Sequence, residues 1–212
     1  MTKIAILGSG RVASALANRL TASGHEIVAG IVNPQKPSER WTGPGTKFVT
    51  TGEAISTAKI VFNATPGETS IAFLEPFRNA LAGKILVDVS NAMRRDAKGM
   101  PVGLYYPDSS VAEQLQAVLP ETAVVKSLNT MLYVVMENPQ CIVPMPNVFL
   151  SGNDSAAKAE IRGLLQAMGW KEEVIEDLGP AFSARGPEAF MHFVPHIIAN
   201  HGFQAYALSI AR

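Results

Sequence analysis

The sequence lacks the features that mark several large classes of protein. Its 18 basic side chains match its 18 acidic ones, so no net charge favours nucleic acid or an anionic membrane as a partner. The single cysteine, Cys141, excludes an intramolecular disulfide and suits a reducing compartment. No uncharged apolar run approaches the roughly 18 residues of a membrane-spanning helix. We therefore predict a soluble, cytoplasmic protein with no nucleic-acid partner and no membrane partner.

Residue types for proton and metal chemistry are also scarce. His192 and His196 lie four residues apart, but Pro195 disturbs the helix between them, and no Cys, Asp or Glu nearby completes a metal site. No nucleophile with a neighbouring base stands out. Hydride transfer between two oriented rings needs proximity rather than an acid or base, whereas reduction of a carbonyl needs a proton donor. The sequence therefore predicts no metal site and no acid–base catalytic residue, and it favours hydride transfer.

Short β-branched runs alternate with helix-like segments through most of the chain. The patterns predict strands at 3–7, 25–32, 47–49, 59–64, 84–89, 123–128 and 147–150, a short one at 174–175, and helices at 12–22, 67–81, 110–118 and after Asp154. This alternation is typical of an α/β fold, here a Rossmann-type, doubly wound, mainly parallel sheet. From Gly179 the strand character is lost, and 181–212 reads as two helices broken near Pro195. We predict a dinucleotide-binding domain over 1–178 and a small helical C-terminal region over 179–212.

The clearest motif is Gly8-Ser9-Gly10-Arg11-Val12-Ala13, a G-x-G-x-x-A pattern that follows the first strand and opens the first helix. Gly8 permits the tight turn, and Gly10 lets the backbone approach a diphosphate. The free N–H groups and the positive end of the helix dipole would then face the phosphates. The sequence therefore predicts that Gly8, Ser9, Gly10, Arg11 and Val12 bind a dinucleotide.

Small polar residues follow the other predicted strands, where ligands of open parallel sheets bind. The candidates for binding the ribose and the nicotinamide are Asn33 after the second strand, Ala64, Thr65 and Pro66 after the fourth, Asn91 after the fifth, and Asn129 and Thr130 after the sixth. Such residues also end strands and cap helices without any ligand, so both interpretations stand for each of them.

The end of the second strand bears on the choice between NAD and NADP. NAD sites usually place Asp or Glu there to hold the ribose 2′-hydroxyl, but residues 30–36 read Gly-Ile-Val-Asn-Pro-Gln-Lys and contain no carboxylate. Lys36, Arg40 and Arg11 are candidates for contact with a 2′-phosphate, although each also suits a solvated surface position. We predict a preference for NADP, with NAD remaining possible.

Further motifs run along most of the chain: residues 4–10 (IAILGSG), 24–30 (GHEIVAG), 124–130 (VVKSLNT), 151–154 (SGND), 177–180 (DLGP) and 184–185 (AR). With these motifs the chain resembles the deazaflavin (coenzyme F420)-dependent NADP oxidoreductase family. The resemblance implies a Rossmann domain with a small helical C-terminal part, often in a dimer. It also implies direct hydride exchange between nicotinamide and a deazaflavin held near Asn129, Thr130 and the tail. NADP-binding members usually carry Ser-Arg where this chain has Ile31 and Val32, which leaves Lys36 as the matching cation.

The hydride acceptor and the class of protein remain open at this point. The favoured function is NAD(P)-dependent hydride transfer to or from a small planar redox partner, such as deazaflavin F420 or a flavin. One alternative is an NADP-binding redox sensor without turnover. Another is an imine reductase resembling pyrroline-5-carboxylate reductase, a family that usually has a longer helical C-terminal domain. The apolar C-terminal helices favour either a homodimer interface or an intrachain core.

Overall fold

A computed structural model describes residues 2–97 and 101–211. Its strands are β1 (Lys3–Leu7), β2 (Glu26–Ile31), β3 (Lys47–Thr50), β4 (Ile60–Asn63), β5 (Ile85–Asp88), β6 (Met93–Arg95), β7 (Pro101–Leu104), β8 (Ala123–Lys126), β9 (Val148–Ser151) and β10 (Ile175–Gly179). Its helices are α1 (Arg11–Ala22), α2 (Thr51–Thr57), α3 (Gly67–Leu74), α4 (Arg78–Leu81), α5 (Val111–Val118), α6 (Tyr133–Glu137), α7 (Ser155–Ala167), α8 (Arg185–Ala189) and α9 (Val194–His201).

Eight of these strands form one sheet in the order β10-β9-β8-β5-β4-β1-β2-β3. The six from β3 to β8 in that order are parallel, β9 joins β8 in antiparallel fashion through Lys126 and Ser151, and β10 is parallel to β9. The strand order reverses between β1 and β4, and such switch points open the crevice in which doubly wound sheets bind ligands. The predicted Rossmann-type, mainly parallel sheet is confirmed.

The core lies on both faces of the sheet, as the consecutive apolar residues of its strands require. In β1, Ile4 and Ile6 pack in one buried cluster with Leu16 of α1 and Ile161 of α7. The intervening residues Ala5 and Leu7 pack in a second buried cluster, which contains residues of α2, α3 and α5. Burial of each Leu or Ile side chain contributes about 1.5–3 kcal/mol, so these two layers fix the strand edges that carry the site.

Several helices follow from local capping. Thr50 and Glu53 form a capping box at the start of α2, and Asp154 accepts from the Ala157 N–H at 2.8 Å at the start of α7. The sequence prediction missed α2, α6 and the separate antiparallel pair of β6 and β7. The single helix predicted over 67–81 is also wrong, because a 3-10 turn at Glu75–Phe77 with Pro76 near its start divides it into α3 and α4.

The C-terminal region differs from the predicted pair of helices. After α8 and α9 the chain turns at Gly202, whose φ of +76° ends the helix, and the tail, residues 203–211, then runs without helix. Its backbone returns to the sheet edge, where the Leu132 N–H donates to the Tyr206 carbonyl at 3.0 Å and the Leu208 N–H donates to the Thr130 carbonyl at 2.9 Å. The predicted helix is therefore wrong over 202–211, and residue 212 lies outside the described residues. The division at residue 178 stays a prediction.

Two features are absent from the described ranges, 2–97 and 101–211. No helix there is both long and apolar enough to cross a membrane. No group of three or more His, Cys, Asp or Glu side chains converges there in a way that could hold a metal ion. The cytoplasmic location stays a prediction.

Candidate functional site

A cleft of about 670 Å³ opens at the carboxyl ends of β1, β4, β5 and β8, beside the switch point. Its lining comprises Gly8, Ser9, Gly10, Arg11, Val12, Ser38, Arg40, Ala64, Thr65, Pro66, Gly67, Glu68, Val89, Ser90, Asn91, Arg95, Asn129, Met131, Leu132, Tyr133, Met136, Met191 and Tyr206. A second cleft of about 700 Å³ lies at the amino ends of β5 and β8, away from these residues. The first cleft is the candidate site because Rossmann sheets bind their ligands at the carboxyl edge.

The phosphate loop has the geometry that its glycines predict. Gly8 adopts a φ of +118°, and a Cβ placed there would lie 2.9 Å from the Ala64 carbonyl oxygen, so only glycine fits without strain. Gly10 precedes the first turn of α1, and a Cβ placed on it would meet no atom within 4 Å. Among the described residues no side chain caps this helix, and its first turn holds no acidic residue. The first N–H groups of α1 are therefore available to an anion.

The loops after β4 and β5 form the next part of the wall. Thr65 donates from its hydroxyl to Asn63 Oδ1 at 2.6 Å, while Asn63 Nδ2 donates to Asp88 Oδ1 at 2.8 Å. Gly67 starts α3 directly against Asn91, since a Cβ on it would lie 2.5 Å from the Asn91 carbonyl. The two strand ends are thus held together by buried amide and carboxylate groups, which fixes the loops that face the cleft.

Asn91 and Asn129 join the loops after β5 and β8. Asn91 Nδ2 donates to the Asn129 carbonyl at 2.8 Å, and Asn129 Nδ2 donates to Asn91 Oδ1 at 3.0 Å. Leu128, next to Asn129, has a φ of +61°, a conformation that costs energy for a residue with a β-carbon. The paired amides hold this strained turn in place beside the cleft.

A buried ion cluster lies beneath these loops. Lys126 Nζ contacts Asp88 Oδ2 at 2.7 Å and Glu188 Oε1 at 2.8 Å, and it donates to the carbonyl of Ser90, a residue of the cleft wall. Burial raises the pKa of Glu188, although Lys126 opposes the shift. Burial alone would lower the pKa of Lys126, but Asp88 and Glu188 outweigh it and raise that pKa. The cluster links the C-terminal region to the floor of the site.

The charged lining of the cleft is mainly cationic. Among the residues that the structure describes, Arg11, Arg40 and Arg95 line it, against one carboxylate, Glu68, which lies 3.8 Å from Arg95. Apolar and aromatic side chains line the part of the cleft next to α6 and the tail, namely Met131, Leu132, Tyr133, Met136, Met191 and Tyr206. The cleft thus combines cations and open amides with an apolar wall.

The structure brings together all but three of the residues predicted to bind the cofactor. Asn33 and Lys36 are exposed, and the side chain of Asn33 accepts from the Gln35 N–H at 3.1 Å in a local turn. Thr130 is buried, and its carbonyl accepts from the tail. These three residues lie outside the lining of the cleft, and their direct contact with a cofactor stays a prediction.

Sequence reasoning missed part of the lining. Met131, Leu132 and Tyr133 directly follow Thr130, so extending the strand-end rule by a few residues would have found them. Met191 and Tyr206 come from the C-terminal region, and no local pattern in the sequence places them at this edge of the sheet.

Comparison with known proteins identifies the family. Residues 3–92 match the family described as NADP oxidoreductase, coenzyme F420-dependent. The crystal structure of a candidate F420-dependent NADP-reductase from Arthrobacter sp. FB24 is 36% identical, with a TM-score of 0.91 and coverage of 100% of both chains. The F420-dependent NADP reductase of Methanocaldococcus jannaschii is 29% identical over 107 residues, which are 50% of this chain and 48% of that protein.

A further relative is considerably longer than this chain. Metalloreductase STEAP3 of Rattus norvegicus is 33% identical over 189 residues, which are 88% of this chain but 36% of that protein. The chain therefore spans about a third of the length of this curated relative. The matches confirm the predicted resemblance and the predicted class of enzyme, an NAD(P)-dependent oxidoreductase. The chain belongs to the coenzyme F420-dependent NADP oxidoreductase family.

Proposed function

We propose that this protein transfers a hydride between NADP and a planar redox partner held in the same cleft. The observation that carries the proposal is the open, uncapped start of α1 in the same cleft as an apolar wall. The amides after Gly8 and Gly10 would hold the diphosphate. The strand-end residues Thr65, Asn91 and Asn129 would orient the ribose and the nicotinamide.

The residues of the apolar wall support a planar partner. Met131, Met136 and Met191 are polarisable and adaptable side chains, and Tyr206 offers an aromatic surface in the same wall. Such a wall excludes water and would orient a flat ring next to the nicotinamide, which supplies the hydride when bound. Because this transfer depends on proximity and orientation, the protein's contribution would be positioning rather than proton transfer.

The acceptor is tested by following NADPH oxidation optically with a panel of compounds. The panel contains coenzyme F420, FMN, a quinone, a ferric chelate, since one relative is named a metalloreductase, and a cyclic imine. Oxidation that requires F420 or FMN is the expected result. Imine reduction would favour the imine reductase instead, and tight NADPH binding without turnover of any compound would favour the redox sensor.

A pair of tyrosine variants tests whether the apolar wall of the cleft holds the acceptor. Tyr206→Ala removes an aromatic ring from the lining and is expected to raise the KM for the acceptor while leaving the Kd for NADPH within about threefold. Tyr105→Ala is the control, because Tyr105 is 48% exposed and lies outside the lining. A loss of NADPH affinity in Tyr206→Ala with an unchanged KM for the acceptor would contradict this placement.

We also propose a homodimer through the C-terminal helices. Phe182 and Phe193 are 60% and 65% exposed in this region, and Phe203 in the following tail is 60% exposed. Exposed aromatic groups of this kind favour a protein interface. Sedimentation equilibrium of the wild type should give a dimer, and Phe193→Asp should shift it to the monomer. A wild type that is monomeric at micromolar concentration would refute this proposal.

A further inference from the structure

The loop between β2 and β3 contains two cationic side chains that are candidates for binding the 2′-phosphate on the adenosine ribose. They are Lys36 and Arg40, four residues apart, and the family resemblance points to Lys36. The structure distinguishes them, because Arg40 and Ser38 line the cleft together with the phosphate loop and Lys36 does not.

Hydrogen bonds on both sides of Arg40 hold its backbone against the phosphate loop and α1. The Ser38 N–H donates to Ser9 Oγ at 3.0 Å, and the Arg40 N–H donates to Ser38 Oγ at 3.2 Å. Beyond Arg40, the Thr42 N–H donates to Ser14 Oγ of α1 at 3.0 Å. The backbone of Arg40 is therefore fixed beside the residues that would bind the diphosphate. Its side chain is exposed and has no hydrogen bond or ion pair with residues 2–97 or 101–211, so it can reach a ligand.

An aromatic contact secures the same segment. Trp41 packs against the buried cluster that contains α1, and its ring meets Phe48 of β3 edge to face, with centroids 5.0 Å apart. An aromatic pair of this kind contributes stability beyond the area it buries. The residue next to Arg40 thus anchors the loop in the core, so the position of Arg40 does not depend on the ligand.

Lys36 is held in a different place by its own turn. The Lys36 N–H donates to the Asn33 carbonyl at 2.9 Å, and the Gln35 N–H donates to Asn33 Oδ1 at 3.1 Å. Val32, directly after β2, is 81% exposed and offers neither a carboxylate for a 2′-hydroxyl nor a cation for a 2′-phosphate. The residues that recognise the ribose 2′-hydroxyl or 2′-phosphate must therefore come from the loop that follows β2.

We propose that Arg40, positioned by Ser38 and Trp41, binds the 2′-phosphate of NADP and sets the preference for NADP over NAD. A guanidinium makes two parallel hydrogen bonds to a phosphate, which a lysine cannot reproduce. Arg11, also in the lining, adds positive charge to the same cleft. The inference rests on the proposed binding of NADP and assigns its specificity to one residue.

Calorimetric titration of NADPH and NADH into the wild type, Arg40→Gln and Lys36→Gln tests this assignment. The wild type should bind NADPH more tightly than NADH. Arg40→Gln should weaken NADPH binding by about 10- to 100-fold, the effect of losing charge-assisted hydrogen bonds, and change NADH binding by less than about threefold. Retained NADH binding also reports that the variant is folded. Lys36→Gln should keep the wild-type ratio of the two affinities.

Three results would overturn the assignment. They are an equal loss of NADPH and NADH binding in Arg40→Gln, a selective loss of NADPH binding in Lys36→Gln, and a wild type that binds both nucleotides equally. The proposed function fails separately, since a protein that prefers NADPH through Arg40 but reduces no acceptor would retain the assignment and lose the enzymatic role.

Discussion

Replacing Lys126 by Met tests whether the buried ion cluster supports the floor of the cleft. The substitution keeps an unbranched side chain one atom shorter and removes the ammonium that lies 2.7 Å from Asp88 and 2.8 Å from Glu188. The side chains of Lys126 and Asp88 are 0% exposed and that of Glu188 is 6% exposed, so water cannot replace the lost partner. Two carboxylates would remain close together in the interior without a counter-charge.

The expected loss of unfolding free energy follows from the burial of this ion cluster. Removing one partner of a buried ion pair costs about 3–5 kcal/mol. A domain of this size loses roughly 2–4 °C in Tm per kcal/mol, so Lys126→Met should unfold about 6–20 °C below the wild type. Lys59→Met is the matched control, because Lys59 forms an ion pair with Glu160 at 2.6 Å in which the two side chains are 62% and 37% exposed. Lys59→Met should lower the free energy of unfolding by only about 0–1 kcal/mol.

The pH dependence has a definite sign. Burial already raises the pKa of Glu188, and loss of the opposing Lys126 charge raises that pKa further. A carboxyl whose pKa is higher in the folded state takes up a proton on folding, so the free energy of unfolding increases as the pH falls through that pKa. The deficit of Lys126→Met should therefore be smaller near pH 5 than near pH 8. Thermal unfolding followed by circular dichroism at both pH values measures it.

In the wild type, the free energy of unfolding depends on the protonation of Lys126 in the alkaline pH range. Its pKa is raised in the folded state, so its contribution is complete below the ordinary lysine pKa and is lost as the pH rises through the higher, folded value. A Lys126→Met deficit no larger than that of Lys59→Met, or one that grows at acidic pH, would refute the reasoning.

Two further predictions concern the phosphate loop and a surface contact of the C-terminal region. Gly8→Ala places a Cβ 2.9 Å from the Ala64 carbonyl at a φ of +118°, so it should cost about 1–3 kcal/mol in denaturant unfolding and weaken NADPH binding; unchanged stability would show that the turn tolerates a side chain. Glu113→Gln removes a double contact with Arg185, at 2.9 and 2.7 Å, which holds the pKa of Glu113 below its usual value. The contribution of Glu113, at most about 1 kcal/mol at this partly exposed position, is present above the unfolded pKa and lost as the pH falls through the folded one. The Tm difference between this variant and the wild type should therefore become smaller as the pH falls through the folded pKa of Glu113, and a difference that grows towards acidic pH would contradict it.

The sequence predicted the parts of the fold that depend on local pattern. β1 and the start of α1 follow from a buried apolar run that ends in a glycine motif, and α7 follows from the Asp154 cap and its apolar stripe. It missed α2 because that helix has only 7 residues and depends on the Thr50–Glu53 capping box more than on an apolar stripe. Short helices of this kind are stabilised mainly by tertiary packing, which a local pattern does not contain.

The residues of the candidate site also fall into two groups, those that the sequence pattern predicts and those that only the tertiary structure places there. Gly8, Gly10 and the strand-end residues Thr65 and Asn91 were predictable because a parallel sheet brings its carboxyl ends to one edge. The choice of Arg40 over Lys36 depends on how the β2–β3 loop folds onto Ser9 and Ser14, and the sequence left both cations open. The contribution of Tyr206 depends on the return of the tail to the sheet edge, a contact made by backbone groups that carry no sequence signature.

The central claim, that the uncapped start of α1 binds the diphosphate, is tested most directly at Gly10. Aspartate is a favoured residue at this N-cap position, so Gly10→Asp should leave the Tm unchanged or slightly higher. The same carboxylate would occupy the free amides and repel a diphosphate, so calorimetric titration should show NADPH affinity reduced by more than about tenfold. A wild type that binds no NADPH at millimolar concentration, or a folded Gly10→Asp that binds it as tightly as the wild type, would contradict the claim.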